Sequence, residues 1–184
     1  KAHIKYLESR FYEIARDIDR YEVMNSTPPK RSTVSEAEQS EMEEFIDNAK
    51  LVVSALGHKV FEPLIPVIET VQVVDDEAIS DYLYLKTNKG LSATGLVAPD
   101  GFIVLRDSTI NNSFSEKSLS ENIIKLRKKY LNDGTVVNNV FMKDTLFSSP
   151  SAAADFIFGY SASGPRSWKN SQGKSLKELN EQEN

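Results

Sequence analysis

Serine, basic and aromatic residues near the C-terminus form the set most able to bind a phosphate and a base. Ser149 followed by Pro150 is typical of a helix start, where free N–H groups attract an anion. Arg166 or Lys169 could contact the same phosphate, and Trp168 could stack on a splayed base. The alternative is structural: Ser149 only caps the helix, Trp168 fills the core and the lysines keep the surface soluble. The sequence favours this structural alternative because it carries no basic stripe.

A second candidate surface for a nucleic-acid backbone lies on a predicted helix. Lys125, Lys128 and Lys129 share one face of that helix because they are spaced by three and four residues. Arg127 belongs to the same basic segment, and Lys143 follows it closely. An ordinary solvated face, with cations near a helix C-terminus, is the alternative interpretation and the favoured one.

The composition restricts the partners that the chain can have. Its 184 residues carry a net charge of −5, and the isoelectric point is about 5.2. Broad attraction to phosphate is therefore not expected, and any nucleic acid would bind locally. No apolar run reaches the length of about eighteen residues that crosses a bilayer. A soluble, cytoplasmic bacterial protein without membrane contact is the simplest interpretation.

The chain has few residues of the types that bind metals or form nucleophilic catalytic groups. The chain has no Cys, which excludes disulfides and thiolate zinc sites. His3 and His58 lie on different predicted elements, so a zinc site or a Ser-His-Asp triad has little support. A glycine-rich phosphate loop does not occur in the sequence. We expect no cofactor and no catalysis in this chain by itself.

The N-terminal residues predict two amphipathic helices that pack as an antiparallel pair. Apolar residues recur every three or four positions from Ile4 to Tyr21. Ser35 and Glu38 form a capping-box sequence that begins the second helix, and Gly57 can end it in the left-handed conformation. Residues 1–61 are therefore predicted to form a helical domain, followed by a linker over residues 62–80.

Residues 81–179 predict an α+β domain in which a small antiparallel sheet packs with two helices. Turn sequences that contain glycine separate the strands of a meander. These predicted strands are Tyr82–Lys86, Leu91–Val97 and Phe102–Arg106. The next predicted elements are a helix that begins at Ser118 or Ser120 and a strand from Val136 to Met142. They are followed by the Ser-Pro-capped helix and a short hairpin. Residues 180–184 predict a frayed tail.

The N-terminal helices resemble part of a nuclease domain. The segments HIKYLESRFYEIA and LGHKVFEPL, with the Asn25 region between them, are similar to the C-terminal half of a bacterial GIY-YIG endonuclease domain. The resemblance implies that Glu8 holds Mg²⁺ or Mn²⁺ in the intact parent protein and that Asn25 lies near that site. The GIY and YIG tyrosines and the arginine of that family are not in this sequence, and Lys1 falls within a helical pattern. We expect a piece of a longer protein that does not cut DNA alone.

The C-terminal residues resemble a domain that accompanies such nucleases. The segment LFSSPSAAADFIFGYSASGPRSWKNSQGKSL lies within a match from Asp81 to Leu179. It resembles an uncharacterised domain that follows the catalytic domain in many bacterial GIY-YIG nucleases. It also looks like a shorter version of the module attached to restriction and adenine methylase proteins, whose members are thought to bind modified DNA.

Two functions are compatible with these features. The preferred one is a non-catalytic accessory portion of a GIY-YIG-like nuclease that helps recognise or position nucleic acid, with DNA as the expected partner. The alternative is a protein-interaction or structural domain without nucleic-acid contact, whose partner is the missing N-terminal nuclease half or a second copy in a homodimer. Loss of half a nuclease domain would expose the apolar faces at Ile4, Phe11 and Phe45.

Overall fold

The chain forms two compact units. A computed structural model describes residues 1–25, 27–64, 82–87 and 90–182. One unit comprises Lys1–Glu69 and the other Thr70–Asn184. From residue 65 onward the predicted linker lies outside the described residues.

The first unit contains two helices that pack against each other, α1 (Ala2–Ile18) and α2 (Glu36–Ala55). The predicted capping box begins α2: the Ser35 side chain accepts from the Glu38 backbone N–H, and the Glu38 carboxylate accepts from the Ser35 N–H at 2.8 Å. Gly57 follows with a φ of +88°, as predicted for the residue that ends this helix. Among the described helices of the chain, none combines the length and apolar character needed to cross a membrane.

The helices of this unit are joined by a polar network rather than by apolar contacts alone. Buried Tyr6 donates its hydroxyl hydrogen to Glu43 Oε1 at 2.7 Å, and Arg10 Nε donates to the same oxygen at 2.7 Å. Arg10 also contacts Glu13 through Nη1 at 2.9 Å. The hydrogen bond from Arg10 is the main reason that the pKa of Glu43 lies below its usual range.

Several apolar side chains of this unit remain exposed. Ile4 is 70% exposed and Phe45 is 53% exposed, as expected. The expectation for Phe11 was wrong, because this side chain is partly buried and its ring packs against Phe61 with the centroids 5.3 Å apart. Leu56, on the last turn beyond α2, is 71% exposed.

The second unit is an α+β domain, which confirms the predicted fold class. Its described strands are β1 (Leu83–Lys86), β2 (Ser92–Ala98), β3 (Gly101–Val104), β4 (Val136–Val137), β5 (Val140–Phe141) and β6 (Thr145–Phe147). The main sheet is antiparallel throughout, with strand order β1-β2-β3-β6. The helices are α3 (Glu121–Asn132), α4 (Pro150–Phe158), α5 (Gly164–Ser167) and α6 (Leu176–Gln182).

The prediction of one strand from Val136 to Met142 was wrong. The chain instead forms a hairpin of β4 and β5 around Asn138 and Asn139, whose φ angles are 51° and 66°. Asparagine tolerates positive φ at both central positions of a two-residue hairpin turn, and this turn signal was overlooked. Strand β6 was also not predicted, because three residues gain their strand character only by pairing with β3. Helix α6 continues through Gln182, past the residue at which the tail was expected to begin.

The core of this domain lies between one face of the sheet and the helices. Alternate strand residues, including Leu83, Leu85, Phe102 and Val104, point towards it and are buried. Phe156 of α4 meets three other aromatic rings there, at centroid distances of 5.2 to 5.6 Å. This packing fixes α4 on the sheet.

Arg127 of α3 is buried in the same core, although the sequence suggested a basic surface. It is 1% exposed, and its guanidinium lies over the rings of Phe114 and Phe156 at 5.4 and 5.3 Å. Nη1 donates to the Phe156 carbonyl and Nη2 to the Asn111 carbonyl. Its Nε is buried without a partner among the described residues, and burial lowers the pKa of this guanidinium. Arg127 lies four residues after buried Ile123, so both side chains are on the buried face of α3. The lysines of α3 are on its other faces.

Arg127 completes a set of hydrogen bonds that satisfies the end of α4. Carbonyls in a last helical turn have no partner within the helix. Here the Ile157 carbonyl accepts from the Asn111 N–H at 2.8 Å, and the Phe158 carbonyl accepts from Asn111 Nδ2 at 3.0 Å. The Gly159 carbonyl accepts from the Ser115 N–H at 2.7 Å. The loop after β3 and one buried cation therefore fix the C-terminus of α4.

We predict that Arg127→Ala lowers the free energy of unfolding by about 3 kcal/mol, because it leaves two carbonyls without their donor in the core. Urea unfolding followed by Trp168 fluorescence measures this change. Lys128→Ala, one residue away on the exposed face, is the control and should change stability by less than about 0.5 kcal/mol. Equal effects of the two substitutions would contradict the structural role of Arg127.

We predict that the helical unit loses stability as acid protonates Glu43. The folded pKa of Glu43 is lowered, so its contribution is present above the unfolded value of 4.5 and disappears as pH falls through the folded pKa. Urea unfolding followed by circular dichroism at about pH 6 and about pH 3 should show this loss. Glu43→Gln should reduce the pH dependence, whereas Glu44→Gln, an exposed neighbour, should leave it unchanged.

Candidate nucleic-acid interface

Trp168 belongs to the core and does not offer a stacking surface. The residue is fully buried, and its ring packs on Phe102 with the centroids 4.6 Å apart. The indole N–H donates to the Pro150 carbonyl at 3.0 Å. The suggestion that Trp168 stacks on a base is therefore corrected, because no face of the ring is accessible in this structure.

The N-terminus of α4 is covered as well. Ser149 caps the helix by accepting from the Ala152 N–H at 3.1 Å. Gly164 at the start of α5 lies so close that an added Cβ would come within 2.4 Å of the Ser151 nitrogen. Ser149 therefore has its capping role, and Gly164 of α5 packs closely against the backbone of the first turn of α4.

The predicted lysines of α3 form an exposed surface. Lys125, Lys128 and Lys129 are all exposed, on the side away from buried Arg127. Lys125 approaches Glu121 at 3.8 Å, and both side chains are largely in solvent. Such a surface pair contributes little stability, so the lysine stays accessible to an anion.

Lys169 lies in a pocket that the sequence did not predict. The pocket is open and has a volume of about 540 Å³. Two lysines, one aromatic ring and small polar side chains line it. Its lining residues are Tyr84, Lys86, Ser167, Lys169, Asn170, Ser171 and Gly173. Neither Arg166, which is exposed on α5, nor any lysine of α3 lines it. We call it the lysine pocket.

Backbone pairing at the edge of the sheet builds the lysine pocket. Lys169 donates its N–H to the Tyr84 carbonyl at 2.9 Å and accepts from the Tyr84 N–H at 2.6 Å. Strand β1 alternates, so Leu83 and Leu85 are buried while Tyr84 and Lys86 belong to the opposite face. Two residues more than 80 positions apart in the chain are thus held side by side.

A tight turn closes one wall of the pocket. Asn170 Oδ1 accepts from the backbone N–H groups of Gln172 at 3.1 Å and Lys174 at 2.9 Å. Gly173 has a φ of +82°, which glycine adopts without a steric penalty. The turn presents exposed Ser171 at the rim of the pocket.

The electrostatics of the pocket favour an anion. None of its described lining residues is acidic. Lys86 Nζ lies 5.7 Å from the centre of the Tyr84 ring, which leaves its charge without a carboxylate in the pocket. The pKa of Glu178, outside the pocket lining, is lowered chiefly by hydrogen bonds from Ser175. The positive charge of Lys169 lowers this pKa further, so Glu178 lies near Lys169.

A known family covers this part of the chain. Residues 83–180 match the model of a domain of unknown function, DUF4357. The chain belongs to this family. Searches of curated proteins and of solved structures each found no match to the chain. The DUF4357 domain includes the whole lysine pocket, from Tyr84 to Gly173.

The residues suggested for a metal site lie outside the DUF4357 domain, in the helical unit. Glu8 is exposed on α1, and its side chain makes no hydrogen bond or ion pair with a described residue. Asn25 is exposed in the segment after α1. In the described part of the chain no group of three or more His, Asp or Glu residues could hold a metal ion.

Tyr84 and Lys86 are two residues of the lysine pocket that were not predicted as site residues. The signal was present as the alternation in YLYLK, which places an aromatic and a basic residue on one face of a strand. Nothing in the local sequence indicates that this face meets Lys169, because that contact is a long-range pairing.

We predict that Trp168, the single tryptophan, has the fluorescence of a buried indole. Its emission should be blue-shifted relative to free tryptophan amide and resist quenching by acrylamide, because the residue is 0% exposed. Unfolding in urea should remove both properties and serves as the control. Strong quenching of the folded protein would contradict the packing described here.

Proposed function

We propose that the DUF4357 domain is a non-catalytic accessory module that helps recognise or position nucleic acid. The lysine pocket is the observation that carries this proposal. Lys86 and Lys169 would contact backbone phosphates, and the half-buried ring of Tyr84 would stack on a base. Single-strand binders combine cations and aromatic rings in this way, with little dependence on sequence.

The proposed contact is local. With a net charge of −5 the chain as a whole repels phosphate, so only clusters of cations provide attraction. The exposed α3 lysines, Lys125, Lys128 and Lys129, would extend the contact to further phosphates. Arg166 is available on α5 for the same purpose.

The proposal extends to the parent protein, which we infer to be a cytoplasmic bacterial GIY-YIG-like nuclease. Its support is the resemblance of HIKYLESRFYEIA and LGHKVFEPL to that nuclease domain. Glu8 would then hold Mg²⁺ or Mn²⁺ beside the scissile phosphate, near Asn25, and its exposure on α1 is compatible with that role. A single carboxylate supplies too few ligands, so this chain alone would neither bind the metal firmly nor cut DNA.

The second candidate function is protein interaction through the helical unit. Ile4, Phe45, Val52 and Leu56 are each more than half exposed. Apolar side chains left in water are typical of surfaces that another protein covers. The partner would be the N-terminal half of a nuclease domain or a second copy of this chain.

We predict that the chain binds single-stranded DNA through the lysine pocket. Lys86→Glu with Lys169→Glu should weaken binding at least about tenfold and reduce the salt slope by about 1.4, the value for two lost phosphate contacts on a single strand. Tyr84→Leu should weaken binding of single strands more than of duplex, because it removes the stacking ring. Fluorescence anisotropy with labelled single-stranded, double-stranded and adenine-methylated DNA at two salt concentrations measures these effects.

Lys125→Glu with Lys129→Glu is the matched control, since it makes the same change of charge on α3. A larger loss for the α3 pair than for the pocket pair would place the contact on the helix and refute the pocket. Absence of binding by the unmodified chain at low salt, together with self-association in sedimentation, would support the interaction function instead.

A further inference from the structure

A second pocket lies on the DUF4357 domain and shares no residue with the lysine pocket. Its volume is about 530 Å³, within the range of about 300–1,000 Å³ typical of small-molecule sites. Described residues that follow β1 and β3, one residue of the β4–β5 turn and residues at the end of α4 form it. Its described lining residues are Thr87, Gly90, Leu91, Thr109, Ile110, Asn111, Asn112, Asn139, Phe158 and Tyr160. We call it the asparagine pocket.

The pocket has an apolar floor and an aromatic wall. Ile110 and Phe158 are buried beneath it. The ring of Tyr160 lies parallel to that of Phe158, with an interplanar angle of 14° and the centroids 5.2 Å apart. Tyr160 is 47% exposed, so part of its surface remains available to a ligand. A planar ring can extend this stack.

Some polar groups of the pocket are already used by the fold. Thr109 exchanges hydrogen bonds with the backbone of Ser92, at 2.9 and 3.0 Å. The side chain of Asn111 donates to the Phe158 carbonyl. These bonds hold the loop after β3 in place, so the walls of the pocket are preorganised.

Three other polar groups are left for a ligand. The side-chain amides of Asn112 and Asn139 and the hydroxyl of Tyr160 make no hydrogen bond with a described residue. Asn139 is held by its backbone, because its carbonyl accepts from the Ile110 N–H at 2.8 Å and its φ is 66°. Each amide offers both a donor and an acceptor.

We propose that the asparagine pocket binds a nucleobase. A neutral heterocycle with donors and acceptors along its edge matches the two amides, and its flat face matches Tyr160. The base can come from a free nucleoside or from an unpaired nucleotide of a nucleic acid. This inference does not rest on the function of the lysine pocket.

The test is a titration of the four nucleosides, and separately of a short single strand and its abasic counterpart, into the whole chain. Side-chain amide signals in ¹⁵N–¹H spectra report binding at Asn112 and Asn139. Asn112→Ala should weaken binding about tenfold, and it is safe for folding because that amide is exposed and unbonded. Asn139→Asp should weaken it similarly while tolerating the positive φ.

Asn138→Asp is the matched control, because Asn138 occupies the other central position of the same turn and does not line the pocket. Binding that needs Asn112 and Asn139 but not Asn138 is the expected result. Preference for the nucleosides identifies a free ligand, and loss of binding by the abasic strand identifies a nucleotide. No shift with any of these ligands, or equal binding of a monosaccharide, would overturn the proposal.

The lysine pocket is tested separately by its own variants. If Lys86→Glu with Lys169→Glu abolishes strand binding while nucleosides still bind, the asparagine pocket stands without the proposed function. If neither the nucleosides nor the strand shifts the side-chain amide signals of Asn112 and Asn139, while strand binding still depends on both lysines, only the asparagine pocket is refuted.

Discussion

The buried guanidinium of Arg127 is the constraint on which the C-terminal domain depends. A buried charge is costly unless polar groups surround it, and here its two acceptors are the carbonyls of Phe156 and Asn111. One carbonyl belongs to the last turn of α4, where the helix dipole favours a cation. A single side chain thus joins α3, α4 and the loop after β3. Because that loop also forms a wall of the asparagine pocket, the shape of the pocket depends on this contact.

The lysine pocket depends in the same way on a buried aromatic residue. Trp168 is fixed by its ring contact with Phe102 and by its hydrogen bond to the Pro150 carbonyl. The next residue, Lys169, is therefore held at the edge of the sheet, where it pairs with Tyr84. The side chain that the sequence suggested as a ligand contact instead fills the core and fixes the position of Lys169 at the sheet edge.

The sequence predicted the parts of the fold that local interactions specify. The three strands of the meander, the cap by Ser149 and the capping box at Ser35 were correct because each depends on residues within a few positions. Strand β6 and the burial of Arg127 were not predicted, since both arise from contacts across the fold. Among the candidate site residues, the lysines of α3 are exposed as expected, whereas Trp168 and the N-terminus of α4 are covered.

By itself, then, the sequence determined the two N-terminal helices, helix α3, the three strands of the meander and that the domain is α+β, because caps, turns and periodicity are local. It also determined the residue types available for binding: lysines, asparagines and aromatic rings, without cysteine. Only the tertiary structure decided which of them share a pocket. Tyr84 pairs with Lys169, and Asn112 and Asn139 line one pocket, because strand pairing and the packing of α4 bring distant segments together. Such contacts are set by the burial of the core, which no short segment specifies.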